Sequence, residues 1–259
     1  MKKLLIFIPS IENGGVEKNL FVVANYLKKK GIDIEILTCN WNSSKKFSKG
    51  IKFIGSKSQF WYNKSRVVKY IYCLITLFFN LIFRKKKPLL FAFQANIYAI
   101  FIAKILNTKI IARSNSAPAG WSTNSLKINL YKFLINLADD VMVNSLEFKK
   151  TFKKKFKTNV RCIYNPFDKN FVKKKKSSKI KYRTFNGDCL NIVSVGRLTD
   201  QKDHLTLLKS INLLRKNFKI KLYIIGNGPM HNLLTNFITD NKLENKVQLL
   251  GYLESPYPY

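Results

Sequence analysis

The sequence has few acidic side chains, few histidines and few cysteines. Its 14 Asp and Glu residues stand against 47 Lys and Arg residues, which gives a formal net charge of +33 at pH 7. The two histidines fit no metal-ligand pattern, and the four cysteines, at positions 39, 73, 162 and 189, form no C-x-x-C pair. These shortages argue against a structural zinc site and against a secreted domain held by disulfides. We therefore expect a reduced, cytoplasmic protein without a structural zinc site.

The sequence also lacks a long apolar run. The first run, within MKKLLIFIPS, ends at Pro9, so it is too short for an export signal and we interpret it as a strand. The longest run, YIYCLITLFFNLIF at Tyr70 to Phe83, is shorter than the roughly 20 residues that span a bilayer. Less apolar residues recur in it at steps of three or four, which predicts a helix. This helix is either mostly buried or lies against a membrane surface, with Arg84 to Lys87 as its cationic edge.

The excess of positive charge has two explanations. It would favour anionic partners such as nucleotides, nucleic acid or acidic lipid surfaces. Only seven of the 47 basic residues are Arg, however, and the many Lys residues accompany many Asn and Ile residues, which indicates a general compositional bias. Charge alone therefore identifies no partner. Nucleic-acid binding is not expected, because the Lys residues are scattered and no aromatic reader motif or finger spacing accompanies them.

Short apolar runs alternate with segments of helical period, which is typical of βαβ units around a mainly parallel sheet and predicts an α/β fold. Strands are predicted at residues 4–9, 32–38, 87–93, 109–114, 140–145 and 159–165, and again at 191–196, 220–226 and 246–253. Helices are predicted at residues 14–31, 125–139, 203–218 and 230–243, the second with a leucine stripe at Leu126, Leu130, Leu134 and Leu137. Between the two series, residues 168–189 carry a Lys run and no sustained period.

We accordingly predict a first domain at residues 1–167, a linker at 168–189 and a partial second domain at 190–259. Three strands and two helices leave part of the second sheet without a covering partner, whereas an open parallel sheet normally has both faces buried. We expect the missing part to lie beyond Tyr259 or to be supplied by a partner.

Two glycine-containing turns could bring the backbone close to a ligand. Gly14 and Gly15 lie between a strand end and a helix start, where free N–H groups attract an anion, although an ordinary tight turn would explain them equally well. In the second series, Gly226 and Gly228 follow the strand that ends in IIG. Gly196 ends the preceding strand of the same series, and ligands of open α/β sheets bind at the carboxyl ends of such neighbouring strands.

The stretch VGRLTDQKDH places two cations near a predicted helix start. Gly196 ends a strand, Arg197 and Lys202 follow it, and Asp203 is a candidate N-cap for the next helix. Fixed cations beside a helix N-terminus stabilise the charge that accumulates on a diphosphate leaving group. Two ordinary surface cations are the alternative.

Four segments make the sequence similar to family 4 of the retaining nucleotide-sugar glycosyltransferases. They are GGVEKNL, IYNPFD, VGRLTDQKDHLTLLKS, and LYIIGNGPMHNLL with VQLLGYLE, and together they span nearly the whole chain. The resemblance implies a GT-B-like α/β fold, with two Rossmann-like doubly wound domains of which the second is incomplete. It also implies transfer of a sugar from a nucleotide-sugar donor to a hydroxyl of a lipid-linked or polysaccharide acceptor, with retention of configuration.

The same resemblance assigns roles to individual residues. Arg197 and Lys202 would be catalytic, because they hold the diphosphate that a divalent metal holds elsewhere, so no cofactor or metal is expected. The acceptor would dock on the first domain around the Gly14 loop and ARSNSAPAG, with Asn115 on the acceptor side. Residues 165–168 resemble the entry to an interdomain hinge. The residues expected to bind the donor are Gly14, Gly15, Gly196, Arg197, Lys202, Gly226 and Gly228.

The sequence departs from the family after Tyr259, where relatives continue with two Glu residues that hold the donor sugar and ribose. We therefore expect a chain truncated at its C-terminus. A glycosyltransferase of cell-envelope glycan synthesis, cytoplasmic or peripheral on the inner face of the membrane, is the first hypothesis. The alternative is a non-catalytic remnant that uses its positive charge to bind an anionic surface or a partner chain.

Overall fold

The computed structural model describes residues 3–11, 14–41, 44–61, 63–116, 124–176, 185 and 187–259. Its contacts divide the chain into two compact units, Met1–Phe167 (unit 1) and Asp168–Tyr259 (unit 2). Both units are built from parallel strands connected by helices, so the predicted α/β class is confirmed.

Unit 1 contains seven strands and five α-helices among its described residues. The strands are β1 (Lys3–Phe7), β2 (Asp33–Asn40), β3 (Lys52–Ser56), β4 (Leu89–Ala92), β5 (Ile110–Ser114), β6 (Asp140–Val143) and β7 (Arg161–Cys162). The helices are α1 (Gly15–Lys29), α2 (Arg66–Ile82), α3 (Asn96–Ile105), α4 (Ser125–Leu137) and α5 (Leu146–Phe156). Strand β3 and helices α3 and α5 were not identified individually from the sequence.

The strands of unit 1 form one parallel sheet in the order β3-β2-β1-β4-β5-β6-β7. The chain moves from β1 to one side of the sheet and from β4 to the other. The loops that follow β1 and β4 therefore flank a crevice at the carboxyl edge, the usual ligand position in such sheets. Gly14 and Gly15 belong to the first of these loops, and Phe93 to Ala95 belong to the second.

Helix α1 shows how the sequence sets its own boundaries. Gly14 is the N-cap and Glu17 lies in the first turn, where a carboxylate interacts favourably with the helix dipole. After Lys30 the chain turns at Gly31, whose φ of +79° lies in the region that favours glycine. Leu20 and Ala24 are fully buried against the sheet, as the helical period predicts.

Helix α2 packs in an unusual orientation. The residues that it buries are Lys69, Cys73, Leu77 and Leu81, which include members of its less apolar stripe. Its large apolar side chains face outward, and Ile71, Ile75 and Phe79 are each more than half exposed. The sequence left two interpretations of this segment, burial in the core and contact with a membrane surface. Burial in the core accounts for only one side of the helix.

Helices α3 and α4 continue the same exposed surface, because α3 packs against both α2 and α4. Of the leucine stripe of α4, Leu134 is buried, whereas Leu126, Leu130 and Leu137 are exposed. A groove of about 750 Å³ runs between α3 and α4 and is lined by Tyr98, Phe101 and Leu130 among others. We call the exposed side chains the apolar face of α2, α3 and α4. Its members are Ile71, Ile75, Phe79, Tyr98, Phe101, Ile105, Leu126, Leu130 and Phe133, all more than half exposed.

Unit 2 contains a three-stranded parallel sheet in the order β10-β9-β8. Its elements are α6 (Lys169–Lys176), β8 (Leu190–Val195), α7 (His204–Leu214), β9 (Ile220–Ile225), α8 (His231–Asp240) and β10 (Val247–Gly251). Helices α7 and α8 cover one face through Leu208, Ile211 and Leu234. On the central strand, Tyr223 is only 1% exposed, and the ring of Phe185, which also contacts the ring of Tyr259, lies against it. Tyr223 is therefore covered, although the sequence predicted that part of the second sheet would lack a covering partner.

The predicted linker is partly helical. We expected residues 168–189 to be irregular, but Lys169–Lys176 form α6, because Asp168 accepts a hydrogen bond from the Phe171 amide at 2.9 Å and so caps the first turn. Its four consecutive lysines, Lys173 to Lys176, are exposed, as expected of a solvated run. Residues 177–184 and 186 of the predicted linker lie outside the described residues.

Candidate functional site

The loops that follow β8 and β9 are joined through their main chains. The Gly196 amide donates to the Ile225 carbonyl at 2.9 Å, and the Leu198 amide donates to the Asn227 carbonyl at 3.1 Å. The Met230 amide in turn donates to the Leu198 carbonyl at 3.1 Å. Because backbone pairs with backbone here, the two loops form a single platform at the carboxyl edge of the unit 2 sheet.

Glycine is required at two positions of this platform. A Cβ at Gly226 would lie 1.8 Å from the Gly196 carbonyl oxygen, and Gly226 also has φ +154°. A Cβ at Gly228 would lie 2.3 Å from the Leu198 carbonyl oxygen. Such distances are impossible for a real side chain, so loop packing alone explains both glycines. Their assignment to donor binding stays a prediction.

Arg197 and Lys202 project from this platform as exposed cations. Neither forms an ion pair or a side-chain hydrogen bond with the described residues. The stem of Lys202 crosses Gly196, with its Cγ 3.5 Å from the position a Cβ would take there. Both cations therefore lie at the end of β8 and are available to an anionic ligand.

The helix next to these cations begins as the sequence predicts. Asp203 is the N-cap of α7, and its Oδ1 accepts a hydrogen bond from the Thr206 amide at 3.3 Å. The first residue of the helix, His204, is 3% exposed, and its Nδ1 lies 3.5 Å from Ser194 Oγ. Its Nε2 is buried without a hydrogen-bond partner in the part of the chain described, and it lies 3.6 Å from the position of a Cβ at Gly196. His204 was not among the site residues predicted from the sequence.

In unit 1, the glycine turn after β1 leaves room on its outer side. A Cβ at Gly15 would meet no atom within 4 Å, whereas one at Gly14 would lie 2.5 Å from Glu17 Oε2. Glu17 is 6% exposed and accepts a hydrogen bond from Gln94 Nε2 at 3.4 Å. Its carboxylate thus bends back over the first turn of α1, in the position of the acidic partner of a capping box. A donor phosphate at this helix start would have to approach that carboxylate.

Asn115, the residue predicted on the acceptor side, is held in place by its neighbours. Its Nδ2 donates to the Phe93 carbonyl at 2.9 Å, and its Oδ1 accepts from Arg113 Nε at 3.1 Å. The end of the predicted acceptor segment, residues 117–120, lies outside the described residues. Sequence reasoning gave no role to Arg113, although a charged residue inside the apolar run KIIARS was a usable signal.

The described residues contain no group of three or more His, Cys, Asp or Glu side chains that could hold a metal ion. Arg197 and Lys202 are exposed cations at the unit 2 platform and are candidates to neutralise a diphosphate there. The absence of a metal requirement stays a prediction.

Comparison with known proteins identifies a known domain in this part of the chain. Residues 176–258 match the family of glycosyl transferases group 1. The sequence is 25% identical to the Campylobacter jejuni enzyme N-acetylgalactosamine-N,N'-diacetylbacillosaminyl-diphospho-undecaprenol 4-alpha-N-acetylgalactosaminyltransferase, over 100% of this chain and 72% of that protein. It is 27% identical to an uncharacterized glycosyltransferase of Methanocaldococcus jannaschii, over 50% of this chain and only 33% of the relative.

Solved structures share the fold at lower sequence identity. Anabaena HepE in complex with UDP-glucose superposes with a TM-score of 0.72 at 17% identity, over 98% of this chain and 70% of that chain. The protein TarM gives a TM-score of 0.73 at 13% identity, over 99% of this chain and 78% of that one. The chain therefore has the fold of the GT-B glycosyltransferases, and its residues 176–258 are similar to the group 1 glycosyltransferases.

Proposed function

We propose that this protein transfers a sugar from a nucleotide-sugar donor to a hydroxyl group of a lipid-linked or polysaccharide acceptor, with retention of configuration, in cell-envelope glycan synthesis. The observation that carries the proposal is the pair of exposed cations, Arg197 and Lys202, on the platform at the end of β8. They lie inside the segment that matches the group 1 glycosyltransferases. Structural neighbours that hold UDP or UDP-glucose support a nucleotide-sugar donor.

The chemistry that these residues would perform is charge stabilisation. When the bond between the sugar and the diphosphate breaks, negative charge develops on the leaving phosphate oxygen. A guanidinium and an ammonium at fixed positions, together with the positive end of the α7 dipole, would stabilise that charge more in the transition state than in the ground state. The Lys202 stem crosses the strand end with its Cγ 3.5 Å from the position that a Cβ would take at Gly196, which is ordinary van der Waals contact.

The test is the affinity of the chain for UDP, measured by calorimetry. Arg197→Ala and Lys202→Ala should each weaken binding about 10- to 100-fold, because a charge-assisted hydrogen bond contributes about 1.5–3 kcal/mol. Thermal unfolding should be unchanged, since both side chains are exposed. Lys209→Ala is the matched control, because Lys209 is an exposed lysine within α7 rather than in the loop before it. Unaltered UDP binding in both cation variants would contradict the assignment.

We further propose that unit 1 contacts the surface of an anionic membrane through the apolar face of α2, α3 and α4. The three helices contain no Asp or Glu, and apart from the buried Lys69 their basic residues are Arg66, Lys104, Lys127 and Lys132. The exposed Lys85 and Lys86 follow α2 directly. Apolar side chains with a cationic surround match a bilayer that carries anionic head groups. The described residues include no helix long and apolar enough to cross a membrane.

A contact with the membrane surface would bring the protein to a lipid-linked acceptor. The C. jejuni relative, which is named for a diphospho-undecaprenol substrate, supports an acceptor of this class. Flotation with vesicles of phosphatidylglycerol or phosphatidylcholine tests it. The chain should bind the anionic vesicles at low salt and be released as salt rises, since surface charges are screened. Phe79→Ser with Phe133→Ser should reduce binding severalfold. Leu213→Ser, which removes a 79% exposed leucine from unit 2, should leave it unchanged. Equal binding by all variants would exclude this face.

A further inference from the structure

Arg113 is a buried cation at the carboxyl end of β5. It is 5% exposed, and its guanidinium lies over the ring of Phe93 at 4.9 Å from the ring centroid. Its Nε donates to Asn115 Oδ1 at 3.1 Å, and its Nη2 donates to Asn165 Oδ1 at 2.7 Å. Three neighbours from three different loops therefore fix the plane of the guanidinium.

All three of these neighbours are neutral. No Asp or Glu of the described residues forms an ion pair with Arg113, and the ion pairs seen there engage Glu35, Asp139 and Asp140 instead. Burial lowers the pKa of Arg113, yet a guanidinium stays protonated in proteins. A buried charge without a counter-ion is costly, and proteins normally pair it. The site thus holds a positive charge that the described residues leave uncompensated.

The guanidinium also has donors to spare. It carries five N–H groups, and its side-chain bonds to described residues are the two to Asn115 and Asn165. Nearby, Gln94 Oε1 and Asn96 Oδ1 are buried without partners in the part of the chain described. Asn96 belongs to the same cluster, because its Nδ2 donates to the Arg113 carbonyl. Unused donors and acceptors in the loops of one carboxyl edge suit a ligand with phosphate oxygens and hydroxyls.

We propose that Arg113 is the anion-binding residue of unit 1 and takes a phosphoryl group. The planar fork of the guanidinium fits two phosphate oxygens, and Asn115, Asn165 and Phe93 hold it ready. The identity of the phosphate rests on the proposed function, which offers two sources. One is the diphosphate that links a lipid to the acceptor glycan, and the other is the diphosphate of the nucleotide donor.

The test observes Arg113 directly in the unmodified chain. With ¹⁵N-labelled arginine, the seven Nε–Hε groups give few signals, and that of Arg113 is assigned by its loss in Arg113→Lys. Inorganic pyrophosphate should shift the Arg113 signal saturably. Arg161, which is exposed and paired with Asp140, serves as the internal control and should not shift in the same way. An Arg113 signal that ignores every phosphate probe would overturn the proposal, because Arg113 would then only connect β5 to Asn165.

Two further titrations identify the source of the phosphate. Geranyl diphosphate represents a prenyl-linked acceptor and UDP represents the donor, and either one shifting the Arg113 signal supports the site while naming its source. The titrations are repeated in the Arg197→Ala/Lys202→Ala variant, so that a failure of the proposed donor site is seen separately from a failure at Arg113. In Arg113→Gln, the affinity for the probe that shifts the Arg113 signal should fall about tenfold or more.

Glu12 is the single acidic residue in the stretches outside the described residues, so it receives its own control. If Glu12→Gln shifts the Arg113 signal as strongly as pyrophosphate does, and pyrophosphate then has no effect, Glu12 is the counter-ion and the proposal is wrong. A signal that still responds to pyrophosphate in Glu12→Gln supports the proposal.

Discussion

Gly226 is the residue on which the platform of unit 2 depends most directly. Replacing it with Ala forces a Cβ to within 1.8 Å of the Gly196 carbonyl oxygen at a backbone conformation that side chains rarely adopt. We expect Gly226→Ala to lower the free energy of unfolding by at least about 2 kcal/mol, measured by urea denaturation. The control is Gly187→Ala, where a Cβ meets nothing within 4 Å and the change should stay within about 0.5 kcal/mol. Equal midpoints for the two variants would contradict this explanation.

The ion pairs of Glu35 predict that the free energy of unfolding depends on pH. Burial raises its pKa, but hydrogen bonds and attraction from Lys3 and Arg84 outweigh burial and hold the pKa below its ordinary value of 4.5. A carboxylate whose pKa is lower in the folded state stabilises the fold at pH values above its pKa in the unfolded chain. This contribution disappears as the pH falls through the pKa of the folded state.

Glu35→Gln should therefore lose about 2 kcal/mol of unfolding free energy at pH 7. The difference from the unmodified protein should begin to shrink once the pH falls below 4.5, where the unfolded chain takes up a proton, and should vanish below the lowered pKa of the folded state, where Glu35 is neutral as well. Urea unfolding at pH 7 and at successively lower pH measures it, with Asp33→Asn on the same strand as the control. A difference that stays constant with pH would show that charge is not responsible.

Individual residues were the hardest features to predict from the sequence. Arg197, Lys202 and Asp203 were found because they follow a strand and precede a helix, and local spacing is sufficient to place them. Arg113 and Glu17 were missed, because their importance comes from burial beside residues far along the chain, such as Asn165 and Gln94. Such contacts between distant segments leave little trace in periodicity.

At the scale of elements, the cap of α7 is the feature that supports the candidate site. Asp203 has φ +48°, a conformation that Asp and Asn tolerate better than Ala, and it also caps the helix. We expect Asp203→Ala to cost about 1–2 kcal/mol of unfolding free energy and to weaken UDP binding as the helix start loosens. Asp203→Asn keeps the acceptor and the conformation, so it should resemble the unmodified protein in urea unfolding. If Asp203→Asn lowers the free energy of unfolding as much as Asp203→Ala does, loss of the cap is not the cause of the effect.

Strands were predicted more accurately than the packing of helices. A buried parallel strand such as β1 or β9 is apolar on both faces, so its sequence signal is strong. Helix α2 has apolar residues nearly all round, so its sequence could not show which side would contact the sheet. The structure buries Lys69 and Cys73 and exposes Phe79, an arrangement that only the neighbouring elements decide.

At the scale of the whole molecule, each unit has its own core. The two apolar clusters of unit 1 draw only on residues before 168, and the cluster of unit 2 only on residues after it. We expect residues 1–167 to fold alone and to unfold cooperatively with urea, followed by circular dichroism. Fragment 1–140, which ends inside β6 and lacks α5, is the control and should not fold. A disordered fragment 1–167 would show that unit 1 depends on unit 2.

The joining of the β8 and β9 loops through main-chain atoms affects how this platform can change during evolution. Hydrogen bonds among Gly196, Leu198, Ile225 and Asn227 use amides and carbonyls that every residue except proline supplies. Side chains along both loops can therefore be exchanged while the spacing of the loops is preserved, provided the two glycines remain. A platform of this kind can acquire a new ligand preference by substitution at its surface without a change of backbone.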